Sequence, residues 1–113
     1  MAIGALALGA GACGNSKSGI GGGGKSNSYE VVKNPKFAAG STMERLSKAG
    51  KITVGVKYDQ PGLGNKNPST GNPEGFDVEV AKIVAGRLGI AANKIHFIET
   101  VSKNREPFIQ NGT

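Results

Sequence analysis

Lys57 and Arg105 are the two side chains of this sequence best placed to bind a ligand, because each follows a predicted β-strand. Lys57 comes directly after "KITVGV", residues 51–56, in which apolar residues alternate with polar or small ones. Arg105 comes shortly after "KIHFIETV", residues 94–101, which is rich in β-branched and aromatic residues. An ammonium group attracts anions, and a guanidinium can form two parallel hydrogen bonds with a carboxylate. The two positions therefore predict a site for a small anionic ligand.

The neighbours of these two residues leave alternatives open. Tyr58 and Asp59 directly follow Lys57 and are further candidates for ligand contact, but Asp59 also suits a turn and Tyr58 also suits packing. On spacing alone, Lys57 is equally well explained as a solvated strand end. Arg105 is equally well explained as the partner of a surface carboxylate, since Glu99 and Glu106 are nearby in the sequence.

A predicted helix separates the two strands, in the segment "GFDVEVAKIVAGRLGI", residues 75–90. A strand, a crossover helix and a second strand form a unit in which the strands are parallel and the connection is right-handed. Ligands of open α/β sheets bind beyond the carboxyl ends of the strands, so Lys57 and Arg105 should meet at one edge. The apolar residues on one face of the helix are Phe76, Val80, Ile83, Val84 and Leu88.

Three further segments complete the predicted α/β order of helix, strand, loop, helix, strand and helix. Ser41 and Glu44 have the spacing of a capping box, and the helix that they begin should end at Gly50. The segment "PGLGNKNPSTGNPEG", residues 61–75, predicts a long excursion loop and not a tight hairpin. Asn104 can cap a last helix that carries Pro107 in its first turn.

Composition excludes several classes of protein. The net charge is +6, but the 14 basic residues are scattered among 8 acidic ones, and two tyrosines and four phenylalanines supply no stacking surface for nucleic acid. A single cysteine allows no intramolecular disulfide, and no run of roughly 18 apolar residues is present to span a membrane. His96 stands in an apolar run without Cys or His partners, as an ordinary strand residue would, so no metal or other cofactor is predicted.

The first 40 residues predict a leader and a linker. Residues 1–13 resemble the end of a signal peptide with a bacterial lipobox, in which Cys13 would be lipidated; the alternative is a glycine-rich leader with an incidental cysteine. Residues 14–40 are Gly/Ser-rich at first and predict a flexible linker, which leaves 41–113 as the folded part. The stretch "GIGGGGKS", residues 19–26, matches a P-loop pattern but lacks the strand and helix that a phosphate site requires.

Three ordered blocks of the sequence resemble one protein family. They are "GKITVGVKYDQPGLG", "GNPEGFDVEVAKIVAGRLGI" and "ETVSKNREPFIQNG", and the resemblance covers roughly residues 41–112. In this order they resemble the start of bacterial extracellular solute-binding proteins of the polar-amino-acid group. The greatest similarity is to the glutamate/aspartate-binding lipoproteins of ABC importers.

The resemblance implies a periplasmic-binding-protein-like fold, in which two α/β lobes close on an amino acid, with residues 41–113 forming an incomplete first lobe. It implies that Lys57 and Arg105 contact an acidic amino acid, and that Leu63 stands where relatives often carry an aromatic pocket wall. It further implies a non-enzymatic protein that is lipid-anchored to the outer face of the bacterial cell membrane and delivers its ligand to ABC permease subunits.

Two other functions use the same fold. A dehydratase would need a general acid or base in the cleft, where the predicted edge offers cations and Asp59 but no histidine. A ligand-sensing domain of a membrane receptor would be followed by a transmembrane helix. The lipobox-like Cys13 and the linker after it favour the transport protein.

Overall fold

The structure is a computed structural model that describes residues 29–113. Cys13, the P-loop-like segment 19–26 and the first part of the predicted linker lie outside the described residues. The α-helices of the described part are α1 (Thr42–Ala49), α2 (Phe76–Arg87) and α3 (Arg105–Asn111). Its strands are β1 (Ile52–Val56), β2 (Asp59–Gln60), β3 (Gly64–Lys66), β4 (Pro73–Glu74) and β5 (Ile95–Glu99).

The strands β1 and β5 pair in parallel, as the strand–helix–strand pattern predicts. Their register runs from Ile52 opposite Ile95 to Val56 opposite Glu99. The ladder continues one step further, because the Thr100 amide donates to the Val56 carbonyl at 2.8 Å. Both strands therefore end at the same edge, which we call the carboxyl edge of the sheet.

The segment between β1 and α2 is more ordered than predicted, and the expectation of a long loop without a tight hairpin is wrong. The strands β2, β3 and β4 form a small antiparallel sheet in that order. A tight turn joins β2 to β3, in which Gly62 has a φ of +82° and the Leu63 amide donates to the Gln60 carbonyl at 3.1 Å. Strands of two or three residues are too short for apolar alternation to reveal them.

The predicted capping residues of α1 are confirmed, with one difference in the partner of Glu44. The Ser41 hydroxyl accepts from the Glu44 amide at 3.2 Å. The Glu44 carboxylate accepts from the Gly40 amide at 2.7 Å, one residue before the N-cap amide of a standard capping box. Gly50 ends the helix in the left-handed region, with a φ of +65°.

The apolar stripe that predicts α2 is largely exposed. Phe76, Val80, Ile83 and Val84 are all exposed, and only Leu88 of the predicted face is buried. The buried side carries Val78, Ala85 and Gly86 instead. A helix that is apolar on two sides does not reveal from its sequence which side packs. The side of α2 that carries the smaller side chains lies inward, because it lets the backbone of another segment approach the helix closely.

Residues 29–37 are that segment, and we call them the N-terminal arm. The Val32 amide donates to the Gly86 carbonyl at 2.9 Å, and a β-carbon on Gly86 would collide with the Glu30 carbonyl oxygen. The Tyr29 hydroxyl donates to the Glu79 carboxylate. We predicted a linker through residue 40, whereas residues 29–37 contact the folded part.

The core lies where the arm, α1, α2 and the two parallel strands meet. Buried side chains of Ala85, Leu88 and Ile90 form its centre. Around them pack half-buried apolar residues from four segments, namely Phe37, Leu46, Ile52 and Ile95. This core holds the amino ends of β1 and β5 together, which leaves the carboxyl edge on the opposite side free for a site. No helix in residues 29–113 has the length and apolar character needed to cross a membrane.

Candidate functional site

The carboxyl edge of the sheet brings the ends of two distant segments together. Val56 ends β1 and Glu99 ends β5, and the two residues are directly opposite in the parallel register. Lys57 follows β1 at this edge, and its backbone is fixed by the β2–β3 hairpin, because the buried Gly64 lies against the Lys57 carbonyl. After β5, a single 3₁₀ turn (Ser102–Asn104) leads to Arg105, which begins α3.

Lys57 is not a solvated strand end. Its side chain is only 17% exposed, and its Nζ lies 3.4 Å from Oδ1 of Asp59, whose side chain is 65% exposed. Asp59 therefore lies in β2 as the ion-pair partner of the predicted ligand-binding lysine. The chain bends at Tyr58, between the two residues, so the pair depends on this bend and not on the side-chain alternation of an extended strand.

Tyr58 contacts other parts of the protein on both sides. Its hydroxyl donates to the Phe97 carbonyl at 3.3 Å, and Lys66 Nζ lies 5.6 Å from the centre of its ring. Its carbonyl accepts from the Lys66 amide at 3.1 Å. Burial, followed by the charge of Glu99, raises the pKa of the Tyr58 hydroxyl, so the phenol stays neutral at physiological pH. These contacts tie the chain between Lys57 and Asp59 to β3 and β5.

Arg105 is exposed and lines a groove of about 710 Å³ along the sheet. Neither Glu99 nor Glu106 forms an ion pair with it among the contacts of residues 29–113, so the surface-pair explanation of Arg105 finds no support there. The groove is mainly apolar, with walls from the exposed side of α2 and from α3, and its polar residues include Asp77 and Thr100. Lys57 is not among the residues that line it. Whether the Lys57 and Arg105 side chains converge on one ligand stays a prediction.

Thr100 is an uncharged residue of this edge and directly follows β5. It is 4% exposed, and its hydroxyl oxygen has no hydrogen-bond partner in the described part of the chain. The hydroxyl lies against Gly55 on the neighbouring strand, where a β-carbon would collide with it. Nothing in the sequence marks such a contact, because it depends on the register between β1 and β5.

Leu63 lies in the turn between β2 and β3 and is half exposed. Its carbonyl accepts from the Asp77 amide at 2.9 Å, and the Gly62 carbonyl accepts from the Phe76 amide at the same distance. The turn thus caps the start of α2 with its backbone. Two amides that could otherwise hold an anion at this helix terminus are therefore already bonded.

The described part of the chain shows no arrangement of metal ligands. No group of three or more His, Cys, Asp or Glu side chains within residues 29–113 is placed to hold an ion. His96 lies exposed in β5, opposite Thr53.

Other sequences resemble this chain over most of its length. No protein-family model matches the chain. A glutamine-binding protein from Geobacillus stearothermophilus is 44% identical over 87 residues, which are 76% of this chain and 33% of the relative. An ABC transporter glutamine-binding protein from Bacillus subtilis is 39% identical over 90 residues, 80% of this chain and 32% of the relative. The chain is a homologue of bacterial amino-acid-binding proteins.

A further relative is named for a different ligand, glutamate. A glutamate-binding protein from Corynebacterium efficiens is 43% identical over 67 residues, which cover 56% of this chain and 22% of the relative. The chain spans about a third or less of the length of these relatives. They show that the chain is homologous to part of such proteins, and their names include both an acidic amino acid and its amide as ligands.

Solved structures of solute-binding proteins share the fold. A receptor for L-cysteine from Neisseria gonorrhoeae matches 64% of this chain and 29% of its own, with a TM-score of 0.58 and 33% identity. An ancestral cationic amino acid solute binding protein matches 64% of this chain and 30% of its own, with a TM-score of 0.55 and 30% identity. The predicted α/β fold, part of a periplasmic-binding-protein-like architecture with parallel strands, is confirmed.

Proposed function

We propose that this protein is the substrate-binding component of an ABC importer and that it binds an acidic amino acid, glutamate or aspartate. The observation that carries the proposal is the carboxyl edge of the sheet, where Lys57 follows β1 and Arg105 follows β5 in a homologue of amino-acid-binding proteins. A dicarboxylic amino acid offers a second carboxylate to such cations. A guanidinium without an ion-pair partner in the described part is suited to bind it in two parallel hydrogen bonds.

In this proposal the protein binds and releases its ligand without chemical conversion. A second α/β lobe would close over the edge described here and remove the ligand from water, which strengthens each charged contact. The ligand-loaded protein would then dock on the ABC permease subunits. Lipidation of Cys13 would anchor it at the outer face of the bacterial cell membrane, with the residues that follow acting as a tether.

Glutamine is the second candidate ligand, since the relatives from Geobacillus stearothermophilus and Bacillus subtilis are glutamine-binding proteins by name. The ion pair between Lys57 and Asp59 also supports an amide, because part of the lysine charge is already compensated.

The test is a calorimetric titration of the protein expressed from its complete open reading frame, with each of the twenty standard amino acids. We expect saturable binding of glutamate, aspartate or glutamine, and no binding of lysine or arginine at matched concentrations. A protein that binds glutamine but neither acidic amino acid would favour the second candidate over the first. A protein that binds none of the three, or that prefers a cationic amino acid, would disprove both.

A further inference from the structure

The ion pair between Lys57 and Asp59 is built into the fold. The Lys57 carbonyl lies against Gly64 of β3, and Asp59 pairs with Asn65 of the same strand. Tyr58, between them, is bonded through its side chain to the Phe97 carbonyl of β5 and through its carbonyl to the β3 backbone. The backbones of both members are therefore held by contacts with β3 and β5, and their Nζ and Oδ1 atoms lie 3.4 Å apart.

The nearby Asp59 carboxylate distinguishes the surroundings of Lys57 from those of Arg105. Within residues 29–113 it is the only acidic side chain within ion-pair distance of Lys57 Nζ, and no carboxylate lies that close to Arg105. One predicted ligand-binding cation thus has a carboxylate beside it, whereas the other has none at ion-pair distance in the described part of the chain.

We propose that Asp59 sets how the site discriminates between a side-chain carboxylate and a side-chain amide. This inference rests on the proposed function. A ligand carboxylate that contacts Lys57 must lie near the Asp59 carboxylate as well, and like charges at such a distance repel each other. An amide oxygen accepts the same hydrogen bond from Lys57 without that repulsion. Asp59 therefore weakens glutamate relative to glutamine, and it makes the site tolerant of both.

The exposure of the two side chains fits this role. Lys57 is mostly covered, so its charge is poorly screened by water and is sensitive to a fixed neighbouring charge. Asp59 is mostly exposed and contributes little to packing, so its removal should alter charge without disturbing the fold.

The experiment measures glutamate and glutamine affinity side by side. Protein from the complete open reading frame is titrated with each ligand as wild type, as Asp59→Asn and as the control Glu106→Gln. The control removes one negative charge from an exposed position of α3 that does not pair with Lys57. We expect Asp59→Asn to raise the ratio of glutamate to glutamine affinity about tenfold, or roughly 1.4 kcal/mol, and the control to change it less than about twofold.

The outcomes separate the two proposals. A wild-type protein that binds neither of these ligands, nor aspartate in a parallel titration, contradicts the proposed function itself. A wild-type protein that binds either one, with the same affinity ratio in Asp59→Asn, contradicts the role of Asp59 alone. Asp59→Ser, checked by circular dichroism, repeats the measurement with a smaller side chain, and it should shift the ratio in the same direction.

Discussion

The Thr100 side chain lies directly against Gly55, so that the end of β5 closes over β1 at a position where only a hydrogen atom fits. The contact joins the two parallel strands one residue before the carboxyl edge that carries Lys57. Replacing Gly55 with alanine would force the two strands apart or turn the Thr100 side chain out of place.

We predict that Gly55→Ala lowers the free energy of unfolding by about 1–3 kcal/mol, the usual cost of overpacking a close contact. Urea denaturation of the protein from the complete open reading frame measures it. In a Thr100→Ala background the same substitution should cost clearly less, because the colliding hydroxyl is gone. Equal losses in both backgrounds would show that the collision is not the cause.

Thr100→Val should raise the free energy of unfolding, whereas Gly55→Ala should lower it. The Thr100 hydroxyl is buried without a partner among the described residues, and valine has nearly the same shape without the polar group. We expect the free energy of unfolding to rise by about 1 kcal/mol, since an unsatisfied buried hydroxyl is costly. Thr53→Val, at an exposed position of β1, is the matched control and should change it little. A loss of stability in Thr100→Val would contradict the prediction; it would mean that the hydroxyl has a partner in the whole protein or that a methyl group is too large beside Gly55.

Because Gly86 contacts the N-terminal arm, its replacement by alanine should destabilise the protein, contrary to the usual effect of this substitution in a helix. Glycine to alanine inside a helix usually stabilises by about 1 kcal/mol. At Gly86 we expect a loss of stability instead, because the new methyl group collides with the Glu30 carbonyl and the bond from the Val32 amide is weakened. Removal of residues 1–37 should restore the stabilising effect of the substitution. If Gly86→Ala stabilises the protein with the arm intact, the arm does not pack on α2 as described.

Glu79, which accepts a hydrogen bond from Tyr29 of the arm, should make the stability of the protein depend on pH. Its hydrogen bonds from Lys82, and next from Tyr29, hold the pKa of the carboxyl below its ordinary value of 4.5. A lowered pKa in the folded state stabilises the protein above the ordinary value, and that contribution is lost as the pH falls through the folded-state value. Glu79→Gln should therefore be less stable than wild type at pH 7, and the difference should shrink below about pH 4.5. Glu106→Gln is the control, and a difference that is independent of pH would contradict the prediction.

The sequence predicted most of the architecture because its signals are local. The Ser41 cap, the Gly50 stop and the alternation in β1 each depend on a few neighbouring residues, and each is found where expected. The parallel pairing followed from the crossover rule and not from any single residue.

The parts that were missed depend on contacts between distant segments. The arm packs on α2 because Gly86 leaves room for the Glu30 backbone, and no periodicity announces such a contact. The same holds for Thr100 against Gly55. At the site, charge and position singled out Lys57 and Arg105, but the Asp59 partner required the geometry of the β2–β3 hairpin.

Titration of two charge-removing variants tests the central claim most directly. Lys57→Ala and Arg105→Ala, in the protein from the complete open reading frame, are titrated with L-glutamate by calorimetry beside the control Lys103→Ala, an exposed cation in the turn before α3. We predict that each of the first two weakens binding by about 2 kcal/mol or more, as for a desolvated charge pair, while the control binds nearly as wild type. Wild-type affinity in both Lys57→Ala and Arg105→Ala would contradict the assignment of the site to this edge of the sheet.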